Sequence, residues 1–185
     1  MIKIGVIIGS VRDVRVGRTI AEWALEQLPK NDEVEYEIID LKEWDLPILN
    51  EPKSPALGEY EHESTKKWSA KISEFDGYIF VTSEYNHGYS ASMKNAIDTL
   101  FHEWAHKPAG FVGYGGMGGA RAVEQLALVT ARTGMVAITS NTLNVIDVWS
   151  AIDEQGKVKP EFIRGNVQAF SDNLLWWVKA TKTAR

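Results

Sequence analysis

The sequence contains no cysteine. That excludes structural disulfides, thiolate metal sites and cysteine nucleophiles together, and it fits a reducing compartment. Only four histidines and six prolines occur among 185 residues, so any histidine-based metal centre draws on a short supply. No apolar run approaches the ~20 residues of a membrane-spanning helix; charge, glycine or proline interrupts each one. The N-terminal stretch MIKIGVIIGS is too short to cross a bilayer and has no small-residue cleavage site, so it reads as a buried strand. The expectation is a cytoplasmic protein without a membrane partner. Positive charge is not in excess either. A net charge of −5 argues against nucleic acid, because phosphate binding requires a basic face.

What is present suits one globular domain over residues 1–185. A hydrophobic fraction of 44% supplies a full core. Strand-like and helix-like patterns alternate along the chain. β-branched or apolar runs at 2–8, 34–41, 78–82, 109–114 and 136–140 read as strands. Between them, Ile20, Trp23, Ala24 and Leu28 recur at helical spacing. Ser64 is a cap candidate for a helix running to about Phe75, and Ser90 for one carrying Met93, Ala96, Ile97, Leu100 and Phe101. Further helices are expected after the glycines at 115–119 as far as about Thr133, and over 160–179. Pro29-Lys30-Asn31-Asp32 reads as a turn, and 46–63, with its prolines, as a long irregular excursion. Five nearly continuous apolar strands separated by helices predict a parallel sheet covered on both faces. In such sheets ligands bind beyond the carboxyl ends of the strands.

Three of the loops expected at that edge are unusual. Gly9-Ser10-Val11-Arg12-Asp13-Val14-Arg15-Val16-Gly17-Arg18 opens a helix. Its free amides, Ser10 hydroxyl and arginines suit a phosphate, although a solvated basic loop explains the composition equally well. This loop is neither a G-x-x-x-x-G-K-[ST] loop nor a G-x-G-x-x-G fingerprint. The second loop, Ser83-Glu84-Tyr85-Asn86-His87-Gly88-Tyr89, offers main-chain donors and a tyrosine to a planar heterocycle, or is an ordinary turn. In the third, Gly115-Gly116-Met117-Gly118-Gly119 places four glycines at a helix start, where amides favour negative charge.

Taken together, Gly9-Ser10-x-Arg12, Glu84-Tyr85-Asn86 followed by Met93-Lys94-Asn95-Ala96-Ile97-Asp98, and the glycine run resemble the NADPH-dependent FMN reductase family. The similarity covers essentially the whole chain, and Phe101-His102-Glu103-Trp104 with Lys107-Pro108 resembles its quinone-reductase branch. The resemblance implies a flavodoxin-like α/β fold with five parallel strands in the order 2-1-3-4-5. It implies FMN as cofactor and NADPH or NADH as cosubstrate. A quinone, azo dye, chromate or free flavin would be the acceptor, and a homodimer or homotetramer the assembly. It places Ser10, Arg12, Arg15, Val16 and Gly17 on the FMN phosphate. Ser83, Glu84, Tyr85, Asn86 and His87 would border the ribityl chain and ring, and Gly115, Gly116, Met117 and Gly118 its pyrimidine end. Main-chain groups around 86–88 would serve flavin N5. No side chain acts as acid or base in this reading, and Tyr85 and His87 shape acceptor access. Ser83 and Ser90 stand where the family usually has proline, and Arg15 and Gly17 where many relatives have Ser and Asn.

Two alternatives compete. A flavodoxin-like carrier would hold the same flavin without nicotinamide turnover, and a regulatory domain would hold no flavin. His102-Glu103-Trp104-Ala105-His106 also matches the zinc-hydrolase pattern H-E-x-x-H. That chemistry needs both histidines on one helical turn, and Lys107-Pro108 is expected to end the helix there. No metal is therefore assigned. The seven tryptophans are read as core or interface residues, and Lys94 with Asp98 as an i,i+4 surface pair.

Overall fold

The computed structural model describes residues 1–30 and 32–185, so Asn31, in the turn expected at 29–32, lies outside the described residues. The chain opens with β1 (Ile2–Ile8), α1 (Gly17–Gln27), β2 (Val34–Asp40) and the short α2 (Leu41–Trp44). Next come α3 (Glu63–Ser73), β3 (Gly77–Ser83), α4 (Ala91–Asp98), β4 (Pro108–Tyr114) and α5 (Ala120–Arg132). β5 (Val136–Ala137), β6 (Leu143–Val145), α6 (Val148–Ala151), β7 (Ile163–Arg164) and α7 (Val167–Ala184) complete it.

The expected parallel core is present. β1 pairs in parallel with β2 and β3, and β3 with β4, giving the flavodoxin-like order 2-1-3-4. Strand periodicity sorts the side chains between two cores. Ile4, Val6, Ile8, Ile79, Val81 and Val112 pack with α1 and α7 on one face. Ile7, Tyr78, Phe80 and Phe111 join residues of α3, α4 and α5 on the other. Trp68 and Trp104 are fully buried there and donate their indole N–H to the carbonyls of Ala96 and Ile97 at 2.9 and 3.0 Å.

Beyond β4 the order departs from 2-1-3-4-5. The fifth position is split: β5 pairs with Pro108 and Ala109 at the start of β4, and β6 with Val112, Gly113 and Tyr114 at its end. β7 then adds antiparallel to β6. A strand of three residues, Leu143–Val145, directly after the polar stretch Ser140-Asn141-Thr142 carries too little periodicity to be read in advance. Two helix starts also move. α3 is preceded by His62, which makes no side-chain cap bond. The closing helix begins at Val167, with Asn166 accepting from the Ala169 amide at 2.9 Å, rather than at Pro160. The excursion 46–63 holds only the 3₁₀ turn Pro55–Leu57. Among the described residues, no helix is long and apolar enough to cross a membrane.

At the edge opposite the carboxyl ends, Lys107 is 8% exposed and donates Nζ to the Ile72 carbonyl at 3.0 Å and the Tyr78 hydroxyl at 3.1 Å. Burial, with the charge of Arg185 adding, lowers its pKa from 10.5 to about 8. Between those two values the unfolded chain holds the proton that the folded chain releases. This group's contribution to stability therefore rises with pH across that window and is constant, at its least favourable, below it. Urea denaturation at pH 7.5 and pH 10 is expected to show wild type gaining on Lys107→Met between the two; an identical pH response removes Lys107 as the cause.

Candidate functional site

β1, β3 and β4 run in parallel and deliver the loops 9–16, 84–90 and 115–119 to one edge of the sheet. There they enclose a cleft of about 530 Å³ lined by Ser10, Arg12, Val14, Arg15, Val16, Ser83, Glu84, Tyr85, Tyr114, Gly115, Gly116, Val148, Trp149 and Ile152. Nine of the residues expected at the site meet in it: Ser10, Arg12, Arg15, Val16, Ser83, Glu84, Tyr85, Gly115 and Gly116. Asn86, His87 and Met117 are exposed on the rim instead, and Gly17 and Gly118 are buried in the supporting backbone.

The first loop is held before any ligand arrives. Ser90 caps α4, its Oγ accepting from the Met93 amide at 3.3 Å and donating to the Gly9 carbonyl at 2.8 Å. Ser92 Oγ donates to the same carbonyl. Ser10 Oγ and the Tyr85 hydroxyl share a hydrogen bond of 2.7 Å across the cleft. Arg12 is exposed, its guanidinium carbon 6.0 Å from the centre of the Tyr85 ring. Arg15 differs: its Nη2 donates to Asp40, whose side chain is 0% exposed, and Arg18 Nη1 stands 3.7 Å from the same carboxylate. One loop thus carries an arginine committed to the protein and another facing solvent. Gly17 has no room for a side chain, since a Cβ there would lie 2.8 Å from the Tyr114 hydroxyl.

The turn 85–88 closes on itself, with Tyr85 N donating to Gly88 O at 2.8 Å and Gly88 N to Tyr85 O at 3.1 Å. Asn86 and His87 take left-handed φ values of 51° and 68°, which asparagine tolerates best after glycine. The Gly88 amide is therefore spent within the turn. The main-chain donors left at this point are those of Asn86 and His87, a narrower set than the sequence suggested.

A clamp joins this turn to α5. Arg121 donates Nε to Glu84 Oε1 at 2.7 Å, Nη2 to the same oxygen and its backbone N to Oε2 at 3.2 Å, while Nη1 reaches His87 Nε2 at 2.8 Å. Gln125 adds a bond to the His87 carbonyl at 2.9 Å. Glu84, only 6% exposed at its side chain, is thus satisfied by the protein rather than left free to border a ring. The sequence reading missed Arg121. A cation in the first turn of a helix opposes the helix dipole, and that was the available sign of a carboxylate partner.

The glycine loop is required by geometry. Gly119 has φ 69°, and a Cβ there would meet Tyr114 N at 2.6 Å; Gly115, at φ 155°, packs against Glu84. The segment after β6, which carries no local motif of a binding loop, forms the remaining wall. Asp147 N donates to Gly116 O and Val148 N to Gly115 O, at 3.2 and 3.4 Å.

Four buried side-chain polar atoms lack a hydrogen bond of good geometry among the described residues, and three of them belong to residues that line this cleft: Arg15 Nε, Ser83 Oγ and the Tyr114 hydroxyl, the last lying beside the Ser83 and Ser10 hydroxyls. Burial pushes the Tyr114 phenol up to about 12, so it stays a neutral hydrogen-bonding group. Polar atoms buried without partners carry a desolvation penalty. A polar floor beneath free amides and an arginine fits a phosphorylated planar nucleotide such as FMN.

A family model described as NADPH-dependent FMN reductase matches residues 2–150. The chain belongs to this family. Like other FMN reductase family members it is an oxidoreductase by descent. An NAD(P)H-dependent FMN reductase of Schizosaccharomyces pombe is 47% identical over 126 residues, which make up 67% of this chain and 63% of the relative's length. One from Nectria sp is 40% identical over 165 residues, 83% of this chain and 82% of the relative. The FerB flavoenzyme NAD(P)H:(acceptor) oxidoreductase of Paracoccus denitrificans shares the fold, with a TM-score of 0.76 at 23% identity over 98% of this chain and 99% of that one.

The zinc motif dissolves in this FMN reductase fold. α4 ends at Asp98, and His102–Trp104 is a 3₁₀ turn followed by His106 at φ 62°, so the two histidines do not share a helical turn. His102 Nε2 contacts the Ala56 carbonyl at 2.8 Å, and Glu103 accepts from the Tyr60 hydroxyl at 2.9 Å and from Ser69 Oγ. No group of three metal-ligating side chains occurs among the described residues. The zinc-hydrolase alternative through His102, Glu103 and His106 is overturned by that geometry. Lys94 and Asp98 form the expected pair.

Proposed function

We propose that this chain is an FMN-dependent NAD(P)H oxidoreductase that passes two electrons from NADPH or NADH to a quinone or a comparable flat acceptor. The observation that carries this reading is the cluster of buried polar atoms without well-formed hydrogen bonds, Arg15 Nε, Ser83 Oγ and Tyr114 OH, on residues lining one cleft at the carboxyl edge of the sheet. A relative from Pseudomonas putida that bears the name quinone reductase supports the acceptor class. FMN supplies the redox chemistry when bound, taking hydride from the nicotinamide and returning electrons to the acceptor. The protein binds and orients.

Ser10, Arg12 and the open amides at the start of α1 hold the phosphate, where helix-end partial charge favours an anion. The Ser83 and Tyr114 hydroxyls donate from the floor, and Tyr85, fixed through Ser10, borders the ring. Amides of Gly116 and Met117, which make no hydrogen bond among the described residues, favour negative charge at the pyrimidine end. The Asn86 and His87 amides serve the opposite edge. The working form is a homodimer or homotetramer in the cytoplasm; the large exposed side chains Leu128 and Trp176 offer apolar surface for such contacts.

The purified protein, saturated with FMN, is expected to lose its visible flavin absorbance when NADPH is added without oxygen, and to recover it on addition of 1,4-benzoquinone. A flavin that stays oxidised with both NADPH and NADH identifies an electron carrier instead.

A further inference from the structure

One wall of the cleft is unlike the others. Trp149 lies on α6, lines the cleft and is 80% exposed. A large apolar side chain so exposed forfeits its burial energy unless something covers it. Its support is not loose. Ala151, two residues on, is fully buried; its amide donates to Asp147 O at 3.1 Å and its carbonyl accepts from Lys159 N at 2.8 Å. Asp147 and Val148 are themselves bonded to the glycine loop, and a Cβ on Gly116 would lie 3.3 Å from the indole. A side chain at residue 116 would have to displace the indole by a few tenths of an ångström. Val14, 81% exposed, lines the same cleft. The cleft thus combines exposed apolar side chains with buried polar ones.

We infer that Trp149 is the stacking surface for a flat conjugated ring held in the cleft. The inference rests on the proposed function for the identity of that ring, which is either the isoalloxazine of FMN or the ring of the acceptor. Indole offers the largest aromatic face among side chains, and stacking of this kind tolerates different rings because each presents a π-face. Trp149 therefore contributes affinity without dictating substitution pattern.

The test uses Trp149→Ala and Trp149→Phe. Apoprotein is titrated with FMN by flavin emission, and FMN-saturated protein is then assayed with 1,4-benzoquinone. If the cofactor ring stacks on Trp149, the alanine variant raises the FMN Kd roughly tenfold or more. The phenylalanine variant then stays near wild type, and wild-type tryptophan emission falls on FMN binding by more than that of Trp149→Phe. If the acceptor stacks there, the FMN Kd is unchanged and the KM for benzoquinone rises at constant kcat in the alanine variant. Thermal melts of the apoproteins should coincide, since the side chain is exposed. An alanine variant with wild-type Kd and KM overturns the inference and leaves the proposed function standing. A wild-type protein that binds no FMN defeats both.

Discussion

Arg15→Ala is expected to destabilise the apoprotein by about 3 kcal/mol, while Arg12→Ala leaves its melt unchanged and weakens FMN binding roughly 10- to 150-fold. The two arginines sit three residues apart in one loop, and a reading of composition treats them alike. Their surroundings separate them. Asp40 has a side chain with 0% exposure and relies on Arg15, itself 13% exposed. Removing one member of a buried pair strands the other charge, and the penalty runs to ~3–5 kcal/mol. Arg18, 3.7 Å from the same carboxylate, and the Lys42 amide, which donates to Asp40 at 3.1 Å, place the loss at the lower end. Arg12 is exposed, and its recorded contact is the Tyr85 ring at 6.0 Å, so its loss costs the empty protein little. With ligand present it is the free guanidinium that can bond the phosphate, and charge-assisted bonds of that type contribute ~1.5–3 kcal/mol. Differential scanning calorimetry without FMN, followed by a binding titration, reads the two effects separately. Equal melting temperatures for both variants would contradict the assignment.

The second large effect belongs to the Glu84–Arg121 clamp. Arg121→Ala leaves a carboxylate with 6% exposed side chain short of two donors, with the residue-121 amide remaining, and about 3 kcal/mol of stability is expected to go. The loss also loosens the turn 85–88 on α5, since His87 is held by the same guanidinium and keeps only the Gln125 bond to its carbonyl. FMN affinity should fall with it. Glu84→Ala/Arg121→Ala removes the stranded charge and is expected to be more stable than Arg121→Ala alone, with a coupling of roughly 2 kcal/mol in the double-mutant cycle. Arg121 is itself 41% exposed, so Glu84→Ala is the milder single change, its partner turning to water. Strict additivity in urea denaturation would show that the clamp is a surface contact only.

Much of this could be read from the residues. β1 to β4 are apolar runs bounded by breakers, and each was placed within a residue or two of its ends. Ser90 is the helix cap it was expected to be. The glycines of 115–119 mark a backbone that approaches Tyr114 and Glu84 too closely for a Cβ. What escaped is long-range. Nothing local pairs Glu84 with Arg121, 37 residues away. Asp40 ends a strand and gives no sign of waiting for Arg15. Trp149 sits in a helix of four residues, too short for a periodic pattern, and reaches the cleft only because β6 pairs with the end of β4. The H-E-x-x-H match misled in the opposite direction: the letters were right, but the helix that would align them stops at Asp98.

If the proposed function holds, this cleft takes FMN by its phosphate as well as its ring. Parallel titrations of apoprotein with FMN and with riboflavin, followed by flavin fluorescence, address it most directly. Quenching of one FMN per chain is expected, with riboflavin bound at least about tenfold more weakly because it lacks the anion that Ser10, Arg12 and the α1 amides would receive. Unquenched FMN, or equal binding of the two, would contradict it.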